Sequence, residues 1–457
     1  MGRSITILLH ALISSCLLSS SLHGQSSLLP EHSTTNDHFG HSLATGLNWM
    51  VVGDPQDSSE GPLRGSVHIY RHDGQSWSFF QRISPEIVEG AGLNVFFGSS
   101  VSLDGNWLIV GAPGDDEAGV NTGAAHVYTF DEFDGSWENF DKLFSSNPQP
   151  NEYFGNSVVV GASAGLAVVG QLDTTGTGEL HPWTIDVDGT TWIQLPSFSN
   201  PSGSTQSHFG ESIQIEGTTL IAGAPNEDNG KGRAWVMTFD SNQNTFVVDS
   251  ELQPDSSVLA PHFGSSVDLT NLSAIVGSPH DGDGESNGGS AYLFRKKMDT
   301  WNFQDKFQGS STEAGDAFGS AVSIENSSVV VGAPFHNSET GNAYTFDVNG
   351  MTAVEILQLI PFDGVPEGYF GYSCLLSNET IAVGALAFDN ASVQSGKVYL
   401  YSVGGMFGDF DFDNDRDIQD LLILISAWGP CSEPCPPDLD GNSQVDVQDL
   451  LAFIAVW

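Results

Sequence analysis

Apolar and polar residues alternate in short runs along most of the chain, which is the pattern of half-buried β-strands. In one representative stretch, the alternating residues 99–103 are followed by a tight turn and by the apolar run 107–110. A third apolar segment covers residues 124–130, and a fourth covers residues 137–144. Four strands of this length, joined in order, predict one antiparallel four-stranded sheet.

This four-strand unit occurs seven times, and each copy opens on the dipeptide Phe-Gly. The second strand of each copy ends in glycine, most often as Gly-Ala-Pro. A β-repeat of about 55 residues that forms one four-stranded sheet is typical of a propeller blade. We therefore predict an all-β fold, a seven-bladed β-propeller of four-stranded blades. The glycines of the seven Phe-Gly pairs are Gly40, Gly98, Gly155, Gly210, Gly264, Gly319 and Gly371.

The connections between the predicted strands differ in length in a regular way. First-to-second turns are short, as at residues 216–217, and so are several third-to-fourth turns, as at residues 188–189. The long polar connections always join the second strand to the third, as at residues 114–122, or join one blade to the next. Because antiparallel strands alternate in direction, these long connections emerge at one end of the blades, here called the long-loop face. Binding residues concentrate on variable loops over a rigid scaffold, so we expect the ligand site there.

The two ends of the repeat region complement each other. The seventh repeat stops after its third strand, at residues 397–401, whereas residues 25–30 resemble the end of a fourth strand. We expect this N-terminal strand to complete the last blade and close a propeller over residues 25–404, because closure removes exposed strand edges.

The first 24 residues have the pattern of a signal peptide. Arg3 precedes the apolar stretch 5–18, and small residues follow it. We therefore expect a secreted or cell-surface protein. No other apolar run reaches the length of a membrane span, so we expect no transmembrane segment in the mature chain.

Residues 405–457 follow a different pattern, with two matched units that begin 29 residues apart. Each unit is an acidic loop followed by an apolar segment that opens on Leu-Leu. Oxygen donors at loop positions 1, 3, 5 and 12, with a backbone carbonyl at position 7, suit calcium, which takes about six to eight oxygen ligands. We predict a small α-helical domain with two EF-hand-like calcium loops. The predicted ligands are Asp409, Asp411, Asp413, Asp415, Asp420, Asp438, Asp440, Asn442, Gln444 and Asp449.

Two features of these loops depart from the usual calcium-loop pattern and leave their calcium affinity open, more so at the first site. The usual glycine at position 6 is replaced by Asn414 and Ser443, which adopt unusual backbone angles less easily. Arg416 also occupies the usual aliphatic position 8 of the first loop. Between the two units, Cys431 and Cys435 lie in a proline-rich turn where export permits a local disulfide.

The charge of the chain excludes several classes of partner. Asp and Glu number 57 against 13 Lys and Arg, which gives a net charge of −44. Such a field repels nucleic acid and anionic membranes, and it attracts cations and basic protein surfaces.

Few other residues are candidates for chemistry. His38, His208 and His262 each precede Phe-Gly, but aromatic residues fill the same position in other repeats, so we interpret them as packing residues. Residues 281–287, and more weakly 115–117 and 227–228, are acidic loops that could hold a cation. The sequence has no nucleophile elbow, phosphate loop or zinc-protease motif, and no catalytic residue is predicted. The tryptophans that recur at the fourth strand are interpreted as blade packing; they are Trp77, Trp137, Trp192 and Trp301.

With these motifs in view, the repeats resemble the FG-GAP family, the repeat of the integrin α-subunit propeller and of many bacterial secreted proteins. The tail resembles the duplicated calcium loop-helix of type I dockerins, which dock onto cohesin modules. One departure matters. Many family members carry an Asp-rich calcium loop between the first and second strands, whereas that connection is a tight turn here.

Together these observations favour a secreted, non-enzymatic binding or scaffold protein. The propeller would bind a protein or glycan at its long-loop face, and the tail would dock, in calcium, to a cohesin-like protein or another partner. The alternative is an extracellular polysaccharide-active hydrolase or lyase that uses the central pocket of the propeller. A third interpretation makes the tail a structural cap that calcium stabilises.

Overall fold

The computed structural model describes residues 26–32, 36–74, 76–85, 94–254, 261–282, 288–298, 300–377, 380–387, 395–402, 418–430 and 444–456. The predicted signal peptide, Cys431 and Cys435 lie outside the described residues. The chain divides into two compact units. The larger comprises Ser27–Ser377 and Ala382–Tyr399, and the smaller includes Leu400–Trp457.

The repeats form seven antiparallel sheets, which confirms the predicted seven-bladed propeller. In each of the first six blades the strands are ordered as they occur in the chain. The strands of blades one to three are Leu43–Gly46, Trp49–Asp54, Ser66–His72 and Trp77–Ile83; Ser100–Asp104, Trp107–Ala112, Ala124–Asp131 and Ser136–Leu143; and Ser157–Gly161, Leu166–Leu172, Gly178–Ile185, Trp192–Gln194 and Phe198–Ser199. Those of blades four to six are Ile213–Glu216, Thr219–Ala224, Arg233–Asp240 and Thr245–Leu252; Ser266–Leu269, Ser273–Ser278, Ser290–Lys297 and Thr300–Phe307; and Ala321–Glu325, Ser328–Ala333, Asn342–Asp347 and Val354–Leu359.

The seventh blade is built from both ends of the repeat region. Its own strands are Phe370–Ser377, Thr380–Ala385 and Lys397–Ser402. The N-terminal strand Ser26–Leu28 pairs beside Lys397–Ser402 as the fourth strand. The edge that the seventh repeat would otherwise expose is therefore covered.

The phenylalanine of each Phe-Gly pair lies between neighbouring blades. Phe97 is fully buried, and its ring packs edge-on against His126 of its own blade, with ring centroids 5.1 Å apart. Its backbone forms a parallel bridge with Gly65, which precedes the third strand of the previous blade. The same bridge recurs between other blades, and it explains why the chain keeps both residues in each repeat.

In six blades a serine two positions after the Phe-Gly glycine links the blade to the next one. Its hydroxyl donates a hydrogen bond to the carbonyl of the following Phe-Gly glycine, and the last of these bonds, from Ser373 to Gly40, joins blade seven to blade one. In the sixth blade Ala321 replaces the serine. The donors are Ser42, Ser100, Ser157, Ser212, Ser266 and Ser373, at 2.6–2.9 Å from their acceptors.

Two irregularities interrupt the repeat. The register between the third and fourth strands shifts by a β-bulge in five blades, for example between Val127 and Tyr128. In blade three the outer strand breaks between Gln194 and Phe198, where Pro196 has no N–H to donate to a ladder.

The tail contains two helices, Ile418–Ser426 and Val447–Val456, and a short antiparallel pairing between Gly429–Pro430 and Gln444–Val445. Leu424, Val445 and Phe453 are fully buried and form a small core. Two one-turn segments, Glu227–Gly230 and His336–Glu339, and a short 3₁₀ turn, Ala162–Ala164, lie within the blades. No helix among the described residues combines the length and apolar character needed to cross a membrane.

Candidate functional site

In most blades the loops at one end are longer than those at the other end, but in blade three the third-to-fourth connection, residues 186–191, is as long as the second-to-third connection, residues 173–177. In blade two the first-to-second turn is residues 105–106, whereas the second-to-third connection runs over residues 113–123. First-to-second connections are tight in the other described blades too, so an Asp-rich calcium loop has no room there. The candidate site is therefore the long-loop face.

A buried acidic residue anchors several of the long loops. It stands two residues after the proline of Gly-x-Pro, and its backbone carbonyl accepts a hydrogen bond from the glycine that precedes the third strand. These residues are at most 5% exposed. The anchor residues are Asp57, Asp115, Glu227 and Asp281.

In three blades a cation from the fourth strand faces this carboxylate. Arg82 lies 2.5 Å from Asp57, and Lys142 lies 2.8 Å from Asp115. Asp281 is 2.9 Å from Lys306 and accepts a hydrogen bond from the hydroxyl of Tyr292 at 2.6 Å. These acids therefore anchor the long loops; residues 283–287 of the candidate cation loop lie outside the described residues.

Burial raises the pKa of Asp115, but the facing His126 and Lys142 lower it more strongly, so the net pKa lies well below its usual range. Replacing Lys142 with methionine should lower the free energy of unfolding by about 3 kcal/mol at pH 7, because it strands a buried charge. A depressed folded-state pKa adds stability above the unfolded value, near pH 4, and that stability is lost as pH falls through the folded value. The difference in free energy of unfolding between wild type and Lys142→Met should therefore be smaller at pH 3 than at pH 7, as measured by urea unfolding.

A suitable control for this variant is Lys297→Met, because Lys297 is exposed. Its unfolding free energy should stay within about 0.5 kcal/mol of wild type. Equal stability of the Lys142 and Lys297 variants at pH 7 would contradict an anchoring role for the Asp115 pair.

The residues that precede Phe-Gly share a left-handed backbone conformation in all seven repeats. Their side chains make local contacts. His208 Nδ1 lies 2.7 Å from a carboxylate oxygen of Glu211, and the ring of His262 packs on His280 with centroids 4.6 Å apart. Burial, and then the proximity of His280, lower the pKa of His262, which favours a neutral ring. The seven residues are His38, Phe96, Tyr153, His208, His262, Ala317 and Tyr369, with φ between 51° and 66°.

A cavity of about 600 Å³ opens on the long-loop face at blade four. Its floor is anchored by Glu227, which accepts hydrogen bonds from the side chains of Asn200 at 2.8 Å and Ser202 at 2.9 Å. The next two residues, Asp228 and Asn229, both have left-handed backbones and face the cavity. The lining consists of Gly203, Ser204, Thr205, Gln206, Asn226, Asp228, Asn229, Gly230 and His262.

The lining of this cavity offers amide, hydroxyl and imidazole groups. Its one carboxylate, on Asp228, forms an ion pair with Arg233 at 2.5 Å, and that hydrogen bond lowers the pKa of Asp228. Asp228 therefore stays ionised at neutral pH. These groups complement a ligand rich in hydroxyl or peptide groups.

Most of the predicted calcium ligands lie outside the described residues: Asp409, Asp411, Asp413, Asp415, Asp438, Asp440 and Asn442. Asp420 falls in the first tail helix, and Gln444 is exposed in the short pairing. Asp449 is fully buried, and its Oδ2 accepts the backbone N–H of Asp446 at 2.7 Å, while Asp446 Oδ1 accepts the N–H of Gln448. This reciprocal arrangement is a capping box at the start of the second helix. The EF-hand-like interpretation stays a prediction.

The sequence interpretation did not identify the loop anchors or the serine links. The signals are nevertheless in the repeat, as an acid two residues after Gly-x-Pro and as serine in Phe-Gly-x-Ser. The tryptophan interpretation agrees with the structure for three of its members, since Trp137, Trp192 and Trp301 are each less than 9% exposed.

Five segments of the chain match the family model of the FG-GAP repeat, and together they cover about half of the chain. They are residues 23–70, 77–128, 260–294, 301–346 and 354–401. Blades three and four lie between the matched segments and keep the same strand order. None of the curated proteins compared with the chain matches it.

Two solved structures match the chain at low sequence identity. A chain in the crystal structure of the mitotic checkpoint complex is 12% identical, with a TM-score of 0.50, over 84% of this chain and 96% of that one. Sqt1 of Saccharomyces cerevisiae is 11% identical, with a TM-score of 0.44, over 83% of this chain and 99% of that one. At such identities the first likeness concerns the fold alone.

Proposed function

The chain belongs to the FG-GAP repeat family, and from this membership we propose that it is a secreted, non-catalytic binding or scaffold protein. The propeller would bind an extracellular protein or glycan at the long-loop face. The tail would dock to a second partner in the presence of calcium. The propeller fold is consistent with a binding role.

The observation that carries this proposal is the polar cavity at blade four. Its loops are held by a buried carboxylate with two side-chain hydrogen bonds, so the cavity is preformed and binding would cost little ordering of the loops. Amide and hydroxyl groups at the surface of a rigid cavity suit hydrogen bonding to a glycan or to a peptide backbone.

The first tail helix supports docking of a partner. Ile418, Leu422 and Ile425 are 64%, 60% and 48% exposed and follow the i, i+4, i+7 spacing of one helix face. An apolar helix face of this kind is a recognition surface for a partner groove. Because the tail resembles type I dockerins, we propose a cohesin-like protein as the partner, and calcium as the ion that folds the acidic loops first.

A polysaccharide-active hydrolase is the competing proposal. Glycoside hydrolysis usually needs two carboxyl groups, one of them protonated near neutral pH. The cavity at blade four has one carboxylate in its lining, on Asp228, and the ion pair with Arg233 keeps it ionised. This favours binding over catalysis at that cavity.

The proposal can be tested by affinity capture with the full-length protein from the secreted and surface material of the source organism, in calcium and in EGTA. For the captured partners, Ser204→Arg would fill the cavity and should weaken propeller binding at least about tenfold, since it costs a central contact. Asn242→Arg, in the exposed third-to-fourth turn of blade four, is the control and should bind like wild type.

For the tail, Leu422→Asp should abolish capture that depends on calcium, because it places a charge in the proposed apolar contact. Gln448→Asp, on an exposed position of the second helix, should not. Turnover of polysaccharides by the wild type would favour the enzyme instead. Capture that is unchanged by Ser204→Arg, by Leu422→Asp and by chelation would refute both binding surfaces.

A further inference from the structure

The first blade carries a carboxylate where the other blades carry an uncharged side chain. Its second strand ends in Gly53-Asp54-Pro55, in place of Gly-Ala-Pro. Asp54 is 0% exposed, and neither oxygen of its carboxylate has a hydrogen-bond partner among the described residues. An ionised carboxylate in such a place costs several kcal/mol unless a cation compensates it. The other blades have Ala112, Gln171, Ala224, Ser278, Ala333 and Ala385 at this position.

Two more buried ligand groups converge on Asp54. Asp57 is 1% exposed and His68 is 0% exposed, and one ligand atom from each of the three residues lies within 4.8 Å of the others. His68 Nε2 is 3.6 Å from Asp54 Oδ2. Asp57 also accepts hydrogen bonds from Ser66 and Arg82, at 2.7 Å and 2.5 Å, which fix its orientation.

The charge of the cluster is unbalanced. Arg82 compensates Asp57, whereas Asp54 faces the additional negative charge of the buried Asp37. His68 Nε2 lies 3.2 Å from the hydroxyl of Ser66, and His68 Nδ1 has no hydrogen-bond partner among the described residues. A neutral imidazole offers a lone pair to a metal ion.

We propose that Asp54, Asp57 and His68 form a buried site for a divalent transition-metal ion of the zinc or manganese type. One imidazole nitrogen with carboxylate oxygens is a donor set that such ions accept, whereas calcium takes oxygen ligands alone and more of them. The ion would join the end of the second strand, the second-to-third loop and the third strand of blade one. Its role would be structural, since the three side chains are closed off from solvent.

The second blade provides a natural comparison. It repeats the arrangement with Asp115, His126 and Lys142, and it has Ala112 in the place of Asp54. There the histidine Nε2 lies 3.8 Å from the carboxylate of Asp115, and the other nearby carboxylate, on Glu117, pairs with Lys142. Replacing Asp54 with alanine therefore gives blade one the composition of a blade that folds in the same chain.

Co²⁺ is a suitable probe, because its visible spectrum reports nitrogen and oxygen ligation. Full-length protein would be refolded from urea with Co²⁺, since the buried ligands limit entry into the folded chain, and then dialysed against excess Ca²⁺ to displace Co²⁺ from calcium-type sites. The wild type should retain about one equivalent of Co²⁺ with a ligand-field spectrum. Asp54→Ala and His68→Gln should retain none, and the blade-two control His126→Gln should retain the wild-type amount.

A second measurement covers the case in which Asp54→Ala does not refold. Asp54→Asn keeps the shape of the side chain and removes its charge; refolding with Zn²⁺ should raise the melting temperature of the wild type and leave that of this variant unchanged. A wild type that retains no Co²⁺ would overturn the proposal and leave Asp54 as a protonated carboxyl. Retention of equal Co²⁺ by the wild type and the Asp54 variants would overturn it as well.

Discussion

Replacing Gly223 with alanine is expected to lower the free energy of unfolding by about 3 kcal/mol, because a core this tightly packed cannot accept an added methyl group. A Cβ at this position would lie 2.0 Å from the carbonyl oxygen of Gly264 and 2.6 Å from Ser212 Oγ. The backbone of Gly223 is not left-handed, so the loss would come from the contact with the next blade and not from local strain. Urea unfolding followed by tryptophan fluorescence measures this loss in the free energy of unfolding.

The carbonyl oxygen of Gly264, more than the hydroxyl of Ser212, is the reason why position 223 must be glycine. In blade six, Ala321 replaces the serine, yet the corresponding Gly332 is kept, and a Cβ there would lie 1.9 Å from the carbonyl oxygen of Gly371. The double variant Ser212→Ala/Gly223→Ala should therefore be no more stable than Gly223→Ala. Gly350→Ala is the control, since its nearest neighbour would be 3.7 Å away, and it should unfold like wild type or slightly later. If Gly223→Ala had the same urea unfolding midpoint as wild type, this explanation from packing would be wrong.

The propeller architecture could be predicted from the sequence because the contacts between blades recur in each repeat and require the same residues there. A Cβ on Gly98 would lie 2.5 Å from the backbone oxygen of Ser66, so the Phe-Gly glycine marks the place where two blades meet. Loop lengths could be measured directly along the chain, and they located the long-loop face. The β-bulge between the third and fourth strands was not accessible, because it depends on how the two strands twist and has no fixed residue type.

The candidate site was less accessible, because its side chains are paired over long distances in the chain. In a chain with a net charge of −44, the position of Asp115 after Gly-x-Pro is a weak signal, and its contact with Lys142 is what shows that it is an anchor. Asp54 could have been identified as the one acid at a position that elsewhere holds Ala, Ser or Gln. The cavity at blade four depends on the path of a long connection, which no local pattern determines. In the tail, Asp449 combines a predicted ligand position with a cap, two roles that the sequence alone cannot separate.

Replacing Leu28 with aspartate is expected to lower the free energy of unfolding by about 4 kcal/mol and to make the protein associate. Leu28 is 6% exposed in the N-terminal strand that completes blade seven, so the variant loses buried apolar surface and buries a charge. Detachment of this strand would expose the edge of Lys397–Ser402, and an unpaired edge promotes pairing with other chains. Urea unfolding and light scattering measure the two effects.

The neighbouring residue gives a matched control for ring closure. Leu29 is 42% exposed, and its contribution to the fold is its backbone carbonyl, which accepts a hydrogen bond from the hydroxyl of Tyr70 at 2.8 Å. Leu29→Asp keeps that carbonyl and should change stability by less than about 1 kcal/mol. A contrast between adjacent positions can arise only if the strand is held in one register, with alternate side chains directed inward. Equal behaviour of the two variants would mean that the N-terminal strand does not contribute to closing the ring.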